Sequence, residues 1–188
     1  KITITFKEKL SGDYSIVIED VKDKADNKMD KTTVPFTVGD ITEPDHKEFK
    51  ATLYKGGKEG QMLKIDFKDT MATDGKYSVT DIEKYVILDS EKTEIKKLED
   101  IEGVEIDVVD DGKAIEIYVP SKNDVDEEDK NKSNKCLDLL DGYYVQIARV
   151  ADAADNKMTV MAHNVLIEDS DTIYVDEKNV KATARNTI

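Results

Sequence analysis

One nine-residue passage occurs twice in this chain. Val21-Lys-Asp23-Lys-Ala25-Asp26-Asn27-Lys28-Met29 returns as Val150-Ala-Asp152-Ala-Ala154-Asp155-Asn156-Lys157-Met158, 129 residues further on. Upstream, Tyr14, Ile16 and Ile18 answer to Tyr143, Val145 and Ile147; downstream, Phe36 and Val38 align with Val165 and Ile167. Each copy reads as an alternating strand, an Asp/Asn-rich turn and a second alternating strand. Two copies of one strand–turn–strand unit imply two copies of one domain, and so a tandem of β modules rather than a single enzyme body.

A further echo sets the period. Lys47-Glu-Phe49-Lys50-Ala51-Thr52 resembles Lys178-Asn-Val180-Lys181-Ala182-Thr183, at an offset of 131. On this register residues 1–42 are the closing strands of a first module. Residues 45–169 are a complete module, and residues 172–188 carry the opening strand of another. The chain starts on Lys rather than Met and stops in mid-pattern, as expected of a piece of something longer. The absence of a leader or anchor here therefore says nothing about localisation.

The charged fraction is 37%, against a usual ~25%, while the apolar residues fall in short alternating runs. This predicts folded sheets with charged outer faces rather than disorder. A net charge of −14 argues against nucleic acid, which needs clustered Lys and Arg, and against adsorption on anionic lipid. It suits divalent cations, a basic partner domain, or solubility through self-repulsion. Cys136 is the single cysteine, so no intrachain disulfide and no cysteine-pair zinc site can form. A catalytic Cys136 would need a nearby imidazole. His46 and His163 lie far off in sequence, beside strand or linker text, and are expected to be exposed.

Period-2 alternation dominates: Ile2/Ile4/Phe6, Leu63/Ile65/Phe67, Val104/Ile106/Val108 and Ile115/Ile117/Val119, each with one apolar face. Asp110-Asp111-Gly112-Lys113 between two such runs predicts a tight hairpin. Helical signal is limited to single turns at Ile82–Tyr85 and Thr93–Asp100. The fold class is all-β, in short antiparallel strands forming sandwiches. Lys122–Lys135 is a long polar stretch where the first module has only the brief Phe6–Tyr14 connection, so the second module carries an inserted acidic loop, 122–135. Loops of that length are functional or disordered.

The twin strand and turn text resembles the penultimate strand and last turn of bacterial immunoglobulin-like modules, which are strung along Gram-positive surface-layer and other cell-surface proteins. Ser78-Val-Thr-Asp81-Ile-Glu-Lys-Tyr85 resembles the segment leading into a mid-domain strand of that family. The family usually has Gly where this chain has Asp26 and Asp155, and Asp too can adopt the left-handed conformation. The likeness covers roughly residues 2–41 and 45–169. It implies immunoglobulin-like β-sandwich modules in tandem and an extracellular, cell-wall-associated structural role. Several relatives of this kind are assembled or stiffened by calcium.

Two sets of residues have the hard oxygen ligands that calcium prefers. One is Asp23, Asp26 and Asn27 with its twin Asp152, Asp155 and Asn156. The same side chains serve equally well to hydrogen-bond their own backbone and make the turn, and repetition does not discriminate between the two. The other set is Asp124, Asp126 and Glu128 of the acidic loop, which lacks the mid-loop Gly and spaced bidentate Glu of an EF-hand. A solvated charge run explains it as well. No nucleophile elbow, zinc-protease motif, phosphate loop or dinucleotide fingerprint is present, so no catalytic residue is assigned and the chain reads as a non-enzyme.

The function expected is a structural spacer and assembly module at the cell surface or cell wall, partnered by neighbouring modules or other surface-layer subunits, with neither nucleic acid nor membrane insertion. Its rivals are an adhesin or glycan-binding module reading through loop 122–135, and an accessory region of a secreted hydrolase. Glu43-Pro44-Asp45 is the expected hinge. Residues 1–42 are too few for a core of their own, and a strand from 172–188, in cis or from a second chain, could complete them.

Overall fold

The computed structural model describes residues 3–8, 10, 12–54 and 61–171. The chain divides into two units, Lys1–Thr42 and Glu43–Ile188. The fold is all-β. Its only helical pieces among the described residues are four single turns of three residues each.

Unit 1 is a hairpin of β1 (Gly12–Ile18) and β2 (Thr32–Val38), paired antiparallel with Tyr14 opposite Phe36 and Ile16 opposite Val34. Alternation sends Tyr14, Ile16, Ile18, Val34, Phe36 and Val38 to one face. Phe36 is stacked on Tyr14 at 5.8 Å and on Phe6 at 6.4 Å between ring centroids. No described residue of this unit is buried.

Unit 2 contains β3 (Lys50–Tyr54), β4 (Gln61–Asp66), β5 (Tyr85–Leu88), β6 (Glu94–Lys97), β7 (Glu105–Val109), β8 (Ala114–Val119), β9 (Tyr144–Ala148) and β10 (Ala162–Asp169). They form a continuous ladder in the order β6-β5-β9-β10-β3-β4-β8-β7. β10 is the link. Residues 162–166 pair antiparallel with β9, and Ile167–Asp169 then run parallel to β3. That parallel junction corrects the expectation of purely antiparallel pairing. Inward side chains from both ends of the ladder, including Leu53, Leu63, Ile65, Ile115, Ile117, Ile87, Val145 and Ile147, join one buried cluster.

The Asp110–Gly112 hairpin forms between β7 and β8 as its residues predict, with positive φ at Asp110, Asp111 and Gly112. Gly112 is also packed closely, since a Cβ there would lie 3.3 Å from Thr70 Cγ2. The turn expected at Ile82–Tyr85 forms over Ile82–Lys84, capped by the Asp81 carboxylate, which accepts from Glu83 N–H. The turn expected over Thr93–Asp100 is mostly strand instead. β6 takes Glu94–Lys97, and only Leu98–Asp100 turn, because pairing with β5 satisfies the backbone that a single turn leaves open.

The duplicated strands need one correction of register. Ile16 pairs with Val34, but its counterpart Val145 pairs with Val165. Val34 and Phe36 are therefore the true counterparts of Val165 and Ile167, and the downstream offset is 131, not 129. Two extra residues, Thr159 and Val160, follow the second turn. Arg149 clasps them, its guanidinium donating to the Thr159 carbonyl (2.8 Å) and the Val160 carbonyl (3.3 Å). The echo over residues 178–183 lies outside the described residues.

Tyr85 is fully buried. Its hydroxyl donates to the Val79 carbonyl at 2.5 Å, and burial holds the phenol well above its usual titration range, so it stays a donor. Tyr85→Phe leaves that carbonyl without its partner and is expected to lower stability by about 1–3 kcal/mol, read from the midpoint of urea unfolding. Residues 43–171 expressed alone are expected to unfold cooperatively by far-UV circular dichroism. Residues 1–42 alone are expected to lack a cooperative transition, because a lone two-stranded hairpin is marginal in water.

Candidate functional site

The twin Asp/Asn passages adopt one structure. Asp23 Oδ1 accepts from Ala25 N–H (2.8 Å) and Asn27 N–H (2.9 Å), and its Oδ2 accepts from Asn27 Nδ2 (2.9 Å). Asp152 Oδ1 accepts from Ala154 N–H (2.9 Å) and Asn156 N–H (2.8 Å), and its Oδ2 accepts from Asn156 Nδ2 (2.7 Å). The backbones agree as well. Met29 N–H donates to the Val21 carbonyl at 2.9 Å, as Met158 N–H does to Val150 at 3.0 Å. Asp26 and Asp155 stand at φ 70° and 65°, the left-handed region that Gly would otherwise fill.

A carboxylate offers about four acceptor sites, and three are taken by the turn in each copy. Asn27 and Asn156 present their amide nitrogens, not their oxygens, to the aspartate. Asp26 turns outward to Lys22 (2.9 Å) and Asp155 to Lys157 (3.1 Å). Each set is built to close a loop, and the Asn27 hydrogen bonds hold the Asp23 carboxyl below its usual range.

The two copies differ in surroundings. Asp23 is exposed, whereas Asp152 is only 2% exposed. In unit 2 the turn is seated on the segment before β5: Ala153 N–H donates to Thr70, Ala151 N–H to Tyr77, and Ala72 N–H to Ala151. Asp69 brings a second carboxylate to within 4.8 Å of Asp152, a neighbour remote in sequence that no local spacing reveals.

In the acidic loop, Asp124, Asp126 and Glu128 do not converge among the described residues. Asp124 accepts from Ser121 N–H (2.7 Å) and from the Ser121 hydroxyl. Asp126 caps the next turn with its carbonyl, accepting from Asp129 N–H and Lys130 N–H. Glu127 pairs with Lys130, Asp129 with Lys132, and Lys135 with Glu102. The loop is a run of turns laced by its own lysines. Its exit is clamped to β4, where the Gln61 amide donates to the Leu139 carbonyl and accepts from Leu139 N–H, both at 2.8 Å.

Cys136 is buried and its thiol points to the Lys130 carbonyl at 3.7 Å. The two histidines, expected to be exposed, are instead half-buried with ring centroids 4.8 Å apart. The reason is topological: β3 and β10 run parallel, so the His46 turn before β3 and the start of β10 lie at the same end. Burial, and then the facing His46, lower the His163 pKa. Among the described residues no helix is long and apolar enough to cross a membrane. No protein-family model, curated protein or solved structure matches the chain.

Because Asp152 is buried with three accepted bonds, Asp152→Ala is expected to cost about 2–3 kcal/mol, measured by urea unfolding, while Asp23→Ala is expected to leave the main transition in place. Calcium at millimolar concentration is expected to give no binding heat and no rise in melting temperature. Heat that vanishes in Asp69→Asn or Asp152→Asn would restore a metal role to that pair. A histidine with a lowered folded pKa favours the neutral form. Its stabilising contribution is present above the ordinary value of 6.5 and is lost as pH falls through the folded value. Unfolding midpoints are expected to drop as the pH is lowered from 6.5 towards the folded value, and less so in His163→Gln.

Proposed function

We propose that this chain is part of a tandem of immunoglobulin-like sandwich modules acting as a non-catalytic spacer and assembly unit in a bacterial surface-layer or cell-surface protein. The observation that carries the reading is the repetition, bond for bond, of one closing hairpin and turn in two separate units. A spacer needs such a unit, a strand pair that ends one module and is followed by the opening strand of the next. The strand order of unit 2 supports the module type. β3-β4-β8-β7 and β6-β5-β9-β10 follow the two-sheet order of immunoglobulin-like sandwiches, with β10 passing between the sheets.

The side chains divide labour accordingly. Inward members of the strands fill the core, while the outward faces carry the acidic surplus that keeps like modules apart in solution. Calcium would be an external stiffener at most, since each turn is already closed by its own aspartate.

The reading predicts a surface address. Antibody raised against the chain is expected to label intact cells of the source bacterium, and external protease is expected to remove the signal. Labelling confined to lysed cells would refute the proposal. Retention on purified wall glycan or matrix protein, lost when residues 122–135 are replaced by a short Gly-Ser loop, would favour an adhesin instead.

A further inference from the structure

His46 and His163 are the only histidines of the chain, and the fold sets their rings 4.8 Å apart between centroids, edge to face at 66°. Both stand on a fixed frame within unit 2. His163 lies in β10 opposite Ile147 of β9. His46 opens a turn capped by the Asp45 carboxylate, which accepts from Lys47 N–H at 3.1 Å. That turn runs directly into β3, whose neighbour is again β10.

Alternation puts His163 in the inward row of β10 with Val165 and Ile167. Those two are buried, and the half-buried His163 ends the row at the water boundary. The strand itself does not require an imidazole there. Ile18 pairs with Thr32 in unit 1 as Ile147 pairs with His163 in unit 2. Thr32 is therefore the counterpart of His163, and the same hairpin forms around it.

Neutral imidazole is a good ligand for zinc and its neighbours among the divalent transition ions. Burial and the facing His46 favour that neutral form of His163. A zinc ion about 2.1 Å from a ring nitrogen lies about 3.2 Å from the ring centroid, so rings 4.8 Å apart subtend about 100° at a shared ion. That is close to the tetrahedral angle. The χ2 torsion of histidine is soft, so the nitrogens can be aimed without moving either strand. A net charge of −14 draws cations towards the surface.

We propose that His46 and His163 form a two-imidazole site for zinc(II) at the end of the core of unit 2. Among the described residues no carboxylate or thiol joins the pair as a third ligand, so the remaining positions fall to water or to solute. With half the ligands of a structural zinc site, the dissociation constant is expected on the order of 10 µM. The ion ties the entrance of unit 2 to β10, and by binding only the folded form it stabilises the unit. This stands apart from the spacer reading, since it concerns unit 2 alone.

The test uses the full chain without a histidine tag, freed of metal by chelator and titrated with zinc chloride. Calorimetry is expected to give one ion per chain at the stated affinity, and the melting temperature is expected to rise with zinc and fall back with chelator. With only two histidines, the imidazole C–H signals in the NMR spectrum report the site directly, and both are expected to move together. His163→Thr, which installs the residue of the sister hairpin, and His46→Gln are each expected to weaken binding about tenfold or more. Failure of millimolar zinc to shift both imidazoles of the parent chain would overturn the site, whether or not the variants fold. Binding that persists unchanged in folded variants would likewise overturn it and assign the ion to carboxylates elsewhere.

Discussion

The carboxylate of Asp152 closes the bend between β9 and β10 with almost no access to water. A buried carboxylate is costly unless its lone pairs are met, and here two backbone N–H groups and one side-chain amide meet them. The bend leads into β10, which holds β9 by its first half and β3 by its second, so the two ends of the ladder of unit 2 meet on the strand that follows this aspartate. Asp23 makes the same three bonds in the open. Local chemistry is therefore sufficient to shape the bend, and burial adds stability without altering its geometry.

Units 1 and 2 show one hairpin in two settings, and among the described residues only the hairpin of unit 2 pairs with further strands. The ladder and turn survive in both, but the apolar face does not find the same fate. Val145, Ile147 and Ile167 are fully buried, while the matching positions in unit 1 keep at least partial exposure. Phe36 stacks with Tyr14 and Phe6. Hydrogen bonding fixes the form of the hairpin, and covering its apolar face is what supplies most of the stability.

Much of this was legible in the residues. Alternation places the strands because inside and outside differ by one position, and Asp-Gly marks the β7–β8 hairpin because few residues accept positive φ. The twin turns announce themselves, since their bonds join residues two to four positions apart. Contacts between distant segments leave no such trace. The parallel run of β10 on β3, the meeting of His46 with His163, the approach of Asp69 to Asp152 and the clamp of Gln61 on Leu139 all depend on which strands become neighbours. The insertion at Thr159 and Val160 was hidden for a different reason: sliding the alignment by two keeps apolar residues matched with apolar ones.

That last point has an evolutionary corollary. Pleated chains distinguish odd from even, so a single added residue after the second bend would have turned Val165 and Ile167 toward water. A pair of residues, with Arg149 tethering the slack, lengthens the chain and leaves parity untouched. Related hairpins of this kind are thus free to diverge in length only by even steps, unless a bulge absorbs the remainder.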